Sequence, residues 1–234
     1  MTVISRRERL RAEMSRDVRR VAAQLIARHG VQGLTLAEIA RQIGVTPAAL
    51  YRHFEDLPDV IRQTAQDITD DLVVFLRHAE AAQPRTDFAA RLSAPTRALR
   101  VWSLTHRHEF ALLFGTPSPS AGSAQARFTA EWVVRLSGVW GPVFVELWAR
   151  QPYEIVDDDR MDPRLLRQLS DYREASGVEL PLGALTEFLG CWQSIYGAVA
   201  LEVFRHFDSV IPDQEPMFEM MLHRLLVRLG VADG

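Results

Sequence analysis

The stretch TLAEIARQIGVTPAALYRHF, residues 35–54, predicts two short helices joined by a tight turn. Thr35 and Glu38 have the spacing of a capping box, so the first helix should begin at Leu36. Gly44 should end this helix, because a residue without a Cβ adopts the left-handed conformation of a helix C-terminus at little cost. The spacing therefore predicts a helix, a turn and a second helix within twenty residues.

The second helix should run from Pro47 to about His53, with Thr46 as its N-cap. Leu50 and Phe54 are its apolar anchors, and its other face carries small residues first, then aromatic and basic ones. A helix of this kind suits entry into the DNA major groove with its N-terminus leading. The candidate DNA-binding residues are Thr35, Thr46, Pro47, Ala48, Ala49, Tyr51, Arg52 and His53.

These motifs resemble the TetR-type transcriptional regulators over about residues 12–72. The resemblance is carried by Leu34-Thr35, Ile39-Ala40, GVTP at 44–47 and LYRHF at 50–54. It implies an all-α homodimer that responds to a ligand and usually represses transcription. The expected organisation is a three-helix DNA-binding domain, residues 1–56, and a larger helical regulatory and dimerisation domain, residues 57–234.

The expected mechanism follows from the two-fold geometry of such a dimer. Two recognition helices about 34–36 Å apart fit successive major grooves of a pseudo-palindromic double-stranded operator. Thr35 and Thr46 should hold phosphates at helix N-termini, and the two alanines should approach bases closely. Tyr51 and His53 should meet the DNA backbone, while Arg52 could reach a guanine or a phosphate.

Charge is unevenly distributed along the chain. Residues 1–56 hold ten Arg against six acidic residues, a balance of 10 − 6 = +4, whereas the whole chain has a net charge of −3. A basic N-terminal part on an acidic remainder favours nucleic acid as a partner at one end only. The basic residues 6–11, at the start of a helix predicted over 4–29, allow two interpretations: an extension that reaches DNA phosphates, or a solvated helix end.

Several protein classes are disfavoured by composition. A single cysteine, Cys191, permits no disulfide within the chain, and hydrophobic residues at 47% are enough for a buried core. No signal-peptide pattern, transmembrane run, repeat or cofactor-binding motif is visible, so we expect a cytoplasmic protein with no cofactor, no metal and no membrane partner. The resemblance has one departure: Leu57 replaces a Lys that commonly contacts phosphate in the family.

The segment HRHEFALLFGTPSP, residues 106–119, carries two alternatives. His106, His108 and Glu109 could serve a metal-dependent enzyme, although residues two apart point to different faces of a helix. The pattern of a His followed by EFALLFGTP is instead similar to one TetR subgroup, as is the W…YG…LE pattern of residues 192–202. That resemblance makes the aromatic residues core and residues 115–122 a loop.

The regulatory domain contains all five Trp residues, which favour an apolar or aromatic effector over a sugar or a nucleotide. The competing interpretation is that these aromatic residues fill a solid core and that the protein responds to no small molecule. Gly138, Gly141 and Pro142 should bend or break a long apolar helix at 125–150. The candidate pocket residues are Phe75, Trp102, His106, Phe110, Phe114, Trp132, Trp140, Phe144 and Trp192.

A predicted helix at 185–207 has apolar residues on one face and small ones on another. The small face, Gly190, Ser194, Gly197, Ala198 and Leu201, suits close backbone approach at a subunit interface or tight packing within one chain. With a last helix at 217–229 it forms half of an expected four-helix dimer bundle. A helical adaptor that binds protein rather than DNA is the remaining alternative.

Overall fold

The computed structural model describes the backbone of residues 6–115 and 124–233, and the side chains of residues 9–115 and 134–233. Within these ranges the chain forms helices and no strand, which confirms the all-α prediction. Two short 3-10 turns, Val31–Gly33 and Asp158–Arg160, separate neighbouring elements. The helices are α1 (Arg6–His29), α2 (Leu36–Ile43), α3 (Pro47–Leu50), α4 (Leu57–Ala81), α5 (Phe88–Thr105), α6 (Arg107–Phe114), α7 (Ala124–Arg150), α8 (Pro163–Ser176), α9 (Leu182–Val203) and α10 (Glu215–Arg228).

The chain divides into two compact units, and the division differs from the boundary expected at 56/57. The first unit comprises Met1–Leu72 and His106–Phe128, and the second comprises Val73–Thr105 and Thr129–Gly234. Helix α4 runs without interruption from the first unit into the second. Sequence periodicity could not show this division, because it depends on α6 packing against α1, which is distant in sequence.

The first unit is built around a core shared by α1, α2, α3 and the start of α4. Val18, Ala22, Ile26, Ile39 and Leu50 are fully buried there. Removing this much apolar side chain from water stabilises the arrangement by roughly 1.5–3 kcal/mol for each large residue. Four-residue α3 has few backbone hydrogen bonds of its own, so this packing is what holds it.

Helix α2 begins and ends as the sequence predicts, with Thr35 as its N-cap and Gly44 as its C-cap. The Thr35 hydroxyl accepts a hydrogen bond from the Glu38 backbone N–H at 3.2 Å, and Gly44 has a left-handed φ of 79°. The reciprocal half of the capping box is replaced, because the Glu38 carboxylate binds Arg41 and Gln42 instead. Thr46 occupies its expected N-cap position but its side chain makes no capping hydrogen bond.

Three predicted boundaries change. Helix α3 ends at Leu50 rather than near His53, because the N–H groups of His53 and Phe54 both bond the Leu50 carbonyl in a closing turn. Helix α9 ends at Val203 rather than 207, just before Arg205 with its positive φ of 61°. The break expected in residues 125–150 is wrong, since α7 is one continuous helix with Pro142 inside it.

Helix α9 is the central element of the second unit and packs against α5, α8 and α10. Its N-terminal end lies close to a neighbouring loop, because a Cβ on Gly183 would come within 2.4 Å of the Val156 carbonyl oxygen. Gly141 of α7 likewise admits the Val178 side chain, which would lie 3.0 Å from an added Cβ. This close approach explains a glycine in α7 that does not break the helix.

A buried charge cluster joins α4, α5 and α7 in the second unit. Arg91 is only 2% exposed and donates hydrogen bonds to Glu80 at 2.6 Å, to Glu146 at 2.7 Å and to the Arg85 carbonyl at 3.1 Å. Its hydrogen bond to Glu146 is the main cause that lowers the pKa of that carboxyl. Three helices are therefore tied by one guanidinium group that has no access to water.

None of the helices in the described part of the chain is long and apolar enough to cross a membrane.

Candidate nucleic-acid interface and second-unit cavity

The predicted DNA-binding residues lie where α2 and α3 meet the surface of the first unit. Leu50 and Phe54 are buried at 0% and 3% exposure and hold α3 onto the core. The positions between and before them point outward, so the structure brings the predicted residues onto one exposed region. Thr35, Thr46, Pro47, Ala48, Tyr51 and Arg52 are exposed, and Ala49 and His53 are partly buried.

Tyr51 is the largest apolar surface in this region, with 60% of the residue exposed. Among the described residues, its hydroxyl makes no hydrogen bond. An amphipathic side chain in this state keeps both its ring and its polar group available to a partner. Nothing in the fold of the first unit accounts for leaving it there.

Charges around α2 are not all available to a partner. Arg41 is bound bidentately by Glu38 at 2.6 and 2.9 Å, and hydrogen bonds from Arg41 and then Gln42 lower the pKa of Glu38 to about 2. His53 differs, because burial and then the nearby Arg11 and Arg52 lower its pKa. The free cations therefore concentrate near the end of α3, not along α2.

Leu57 stands at the first position of α4 and packs, partly buried, against the core of the first unit. Its side chain serves packing at the position where the family commonly has a phosphate-binding Lys. Any phosphate contact made from this part of the surface must therefore use other residues.

His106, His108 and Glu109 do not share a site. His108 Nδ1 lies 2.9 Å from the Ala27 carbonyl of α1, Glu109 is buried, and His106 is exposed. The described residues contain no group of three His, Cys, Asp or Glu side chains arranged to hold a metal ion. Of these three residues, His108 contacts α1.

The second unit encloses an apolar cavity of about 50 Å³ between α7, α8 and α9. One water needs roughly 10–15 Å³ on this scale, so the space suits a small ring or chain. Its polar atoms are a hydrogen-bonded pair, Ser137 Oγ and Tyr172 OH at 2.6 Å, and the Cys191 thiol, whose pKa burial raises to about 12. The lining residues are Leu136, Ser137, Trp140, Phe144, Tyr172, Phe188, Leu189, Cys191, Trp192 and Ile195.

Three of the predicted pocket residues, Trp140, Phe144 and Trp192, line this cavity. Phe110 and Phe114 pack on each other at 4.7 Å within the first unit. Three further predictions do not line the cavity: Phe75 is 46% exposed, His106 is exposed and Trp102 is partly buried elsewhere. The Trp132 side chain lies outside the described residues.

Sequence reasoning missed Ser137, Tyr172, Cys191 and Phe188 as lining residues. The sequence of α8 is mostly polar, so it gave no sign that this helix borders a cavity. In the structure only Leu169 of its residues is buried. A hydroxyl on α7 opposite one on α8 is a contact between distant parts of the chain, which spacing within one helix cannot reveal.

The small residues of α9 lie along a partly open face. Gly190 and Gly197 have nothing in the described structure within 4 Å of where a Cβ would stand. Ser194, whose hydroxyl donates to the Gly190 carbonyl at 2.9 Å, Ala198 and Leu201 are partly buried. These five residues are here called the small-residue stripe, and within the described structure two of them, Gly190 and Gly197, have open space beside them.

Comparisons with known proteins agree with this architecture. Residues 18–56 match the bacterial regulatory proteins of the tetR family, and residues 92–225 match the Tetracyclin repressor-like C-terminal domain. The HTH-type transcriptional regulator Rv1816 of Mycobacterium tuberculosis is 24% identical over 225 residues, 96% of this chain and 95% of that protein.

Solved structures show the same fold. The regulatory protein SCO4313 has a TM-score of 0.68 and 26% identity, with 95% of this chain and 100% of that chain covered. A TetR family transcription regulator from Shewanella sp. PV-4 has a TM-score of 0.55 and 15% identity over 90% of this chain and 96% of that chain. The chain belongs to the TetR family of DNA-binding transcriptional regulators, with a helix-turn-helix unit at its N-terminus and a TetR-type helical C-terminal domain.

Proposed function

We propose that this regulator is a ligand-responsive repressor that binds a pseudo-palindromic operator as a homodimer. The observation that carries the DNA-reading part is the exposed face of α3. There Tyr51 is 60% exposed while Leu50 and Phe54, on either side in sequence, are buried. The helix is fixed by its core face and offers its other face to a groove.

The roles within this face follow from side-chain chemistry. Ala48 is exposed and short enough for the backbone of α3 to approach base edges, including a thymine methyl group. Tyr51 and His53 meet the sugar-phosphate backbone, and Arg52 is long enough for a phosphate or a guanine. Thr35, at the N-terminus of α2, adds a hydroxyl beside unpaired helix amides.

A palindromic operator has two half-sites and needs the DNA-reading faces of two protomers. A duplex-binding experiment tests whether two protomers are required. A duplex with two half-sites should bind two protomers much more tightly than a duplex with one half-site. Equal affinity for the two duplexes would show that the protein reads DNA as a monomer and would contradict the proposal.

The dimer is proposed to form through α9 and α10. The small-residue stripe supports this, because a face with open space at two glycines allows the backbone of a partner helix to approach closely. Met217 and Met220 of α10 add exposed apolar surface, at 42% and 45% exposure, to the same unit. An interface of these helices would cover surface that the monomer leaves to water.

We expect Gly197→Leu to convert the dimer into a monomer without unfolding the chain. Within the described structure nothing lies within 4 Å of a Cβ at this position, and replacing a helical Gly gains roughly 0.5–1 kcal/mol in helix stability. Across a subunit interface the same side chain overpacks by about 1–3 kcal/mol. Equilibrium sedimentation of wild type, Gly197→Leu and the small control Gly197→Ala measures this. A monomeric wild type at micromolar concentration, or an unchanged Gly197→Leu dimer, would contradict the interface.

The effector is proposed to be a small apolar or aromatic compound held in the second-unit cavity. Apolar side chains supply nearly all of the lining, and burial contributes about 25 cal/mol per Å². The hydroxyls of Ser137 and Tyr172 bond each other among the lining residues, so the cavity offers a compound an almost wholly apolar surface. We also propose that the chain belongs to the TetR subgroup whose members carry the LLFGTP and W…YG…LE patterns.

We expect Leu189→Phe to weaken effector binding by filling this cavity. Leu189 lines the space and is only partly buried, so a larger side chain has room to enter it. Leu182→Phe is the matched control, since Leu182 is also partly buried on α9 but does not line the cavity. Quenching of Trp140 and Trp192 emission during a screen of apolar compounds gives the readout. Equal binding by both variants, or a screen without any quenching compound, would count against the cavity as the effector site.

A further inference from the structure

A cleft of about 360 Å³ opens in the first unit where α1 meets the residues that follow α3. Three side chains that can carry positive charge, Arg11, Arg52 and His53, line it together with Leu10 and Met14. Arg11 is forty-one residues from Arg52 in sequence, and yet its Nη2 donates a hydrogen bond to the Arg52 carbonyl at 3.3 Å. The fold therefore gathers these cations from α1 and from the turn that follows α3.

The positive charge in this cleft is not neutralised. Among the residues that the structure describes, neither Arg11 nor Arg52 forms an ion pair with a carboxylate. Other Arg residues of the same unit are paired: Arg19 with Asp67, Arg20 with Asp17 and Arg41 with Glu38. The cleft brings these two unpaired guanidinium groups together beside the end of α3.

His53 responds to this environment. Burial, followed by the charges of Arg11 and Arg52, lowers its pKa. Its Nδ1 is enclosed without a hydrogen-bond partner in the described structure, which leaves Nε2 as the nitrogen for an external ligand. Two guanidinium groups and an imidazole with no counter-charge form a site that favours an anion.

We propose that this cleft binds one phosphate of the DNA backbone, with Arg11 and Arg52 as the charged donors and His53 as the third. The assignment rests on the proposed operator binding, and the location supports it, because Arg52 directly follows the exposed Tyr51 on the same surface. A guanidinium fork matches the geometry of a phosphodiester. The Arg11 hydrogen bond also joins α1 to the end of the DNA-reading element, so that phosphate capture fixes the orientation of both.

This site gives the basic start of α1 a specific task. Of the two interpretations of residues 6–11, it selects contact with DNA phosphates, and it assigns that contact to Arg11. It also supplies a phosphate contact in a unit whose Leu57 packs against the core and cannot provide one.

The test compares Arg11→Gln with Arg28→Gln on the operator duplex over a series of salt concentrations. Arg28 is exposed and lies about 26 Å further along α1, so its loss changes net charge equally without touching the cleft. We expect Arg11→Gln to reduce operator affinity about tenfold and non-specific affinity to a similar degree. The slope of log K against log salt for the operator should become shallower by about 1.8, because the dimer loses one phosphate contact in each half-site at about 0.9 per phosphate.

Arg28→Gln should leave both quantities near those of wild type, and Arg11→Lys should retain the wild-type slope because it keeps the charge. A purely structural role for Arg11 would weaken operator binding without changing the slope, and that result would overturn the phosphate site. Equal effects of Arg11→Gln and Arg28→Gln would overturn it too, by showing that only net charge matters. If wild type binds no duplex at all, the proposed DNA binding itself fails, and the site with it.

A final comparison distinguishes the DNA backbone from free phosphate as the occupant. Inorganic phosphate replaces chloride at constant ionic strength, and wild-type operator affinity should stay unchanged. A loss of affinity in phosphate that is absent from Arg11→Gln would identify a free phosphate ligand and overturn the backbone assignment.

Discussion

Replacing Tyr51 by Ala is expected to abolish detectable operator binding while leaving the fold and the dimer intact. Tyr51 is 60% exposed and makes no hydrogen bond within the described structure, so the fold loses little with the side chain. Surface substitutions away from special features usually change stability by less than about 0.5 kcal/mol. The complex, in contrast, loses a phosphate hydrogen bond and the packing of a ring against the backbone in each half-site.

The size of the effect comes from the two-fold symmetry. A loss of about 1–3 kcal/mol at each half-site doubles in the dimer, which corresponds to roughly a hundredfold or more in operator affinity. Fluorescence anisotropy with labelled operator measures it, and circular dichroism with sedimentation confirms an unchanged protein. Tyr51→Phe is the control, because it keeps the ring and removes only the hydroxyl. Its operator affinity should lie between those of wild type and Tyr51→Ala. Unchanged affinity in Tyr51→Ala would remove this residue from the interface.

The second large effect is expected in stability, from Arg91→Ala. Arg91 is 2% exposed, and its loss would leave Glu80 and Glu146 without the buried cation that binds both at 2.6 and 2.7 Å. Removing one partner from a buried ion pair costs about 3–5 kcal/mol, and about 2–4 °C per kcal/mol gives a fall in Tm of roughly 6–20 °C. Thermal unfolding followed by circular dichroism gives the measurement.

Arg85 provides a matched control for this prediction. It contacts the same two carboxylates, at 3.8 and 3.5 Å, but 72% of its side chain is exposed. Arg85→Ala should therefore cost no more than about 1 kcal/mol. The lowered pKa of Glu146 adds a pH signature: its stabilising contribution is complete above the ordinary carboxyl range and is lost as the pH falls below it. Similar stability losses for Arg85→Ala and Arg91→Ala would show that burial of the guanidinium is unimportant.

The DNA-reading element could be predicted from sequence because its signals are local. Thr35 as N-cap, Gly44 as C-cap and Pro47 at the start of α3 each act within one turn of backbone, and the structure has each at its predicted place. Leu50 and Phe54 follow from helical spacing alone. The one local error, the end of α3, arose because spacing does not distinguish a helix from a closing turn over three residues.

The cavity and the cationic cleft could not be predicted in this way. Ser137 meets Tyr172, and Arg11 meets Arg52, only after distant helices have packed. Aromatic content predicted a space lined by Trp and Phe residues, but not which of them line it, because Phe110 and Phe114 satisfy the same pattern by packing on each other. Pro142 was expected to break α7, whereas the packing of Gly141 against Val178 is compatible with a continuous helix.

The central claim, that a dimer of this chain reads a pseudo-palindrome through α3, is tested most directly by selecting duplexes from a random pool with the purified wild-type protein. The account predicts enrichment of one sequence made of two inverted half-sites, with centres about one helical turn apart. The same selection with Tyr51→Ala should enrich nothing. Enrichment of a single asymmetric half-site, or no enrichment by the wild-type protein, would contradict the account.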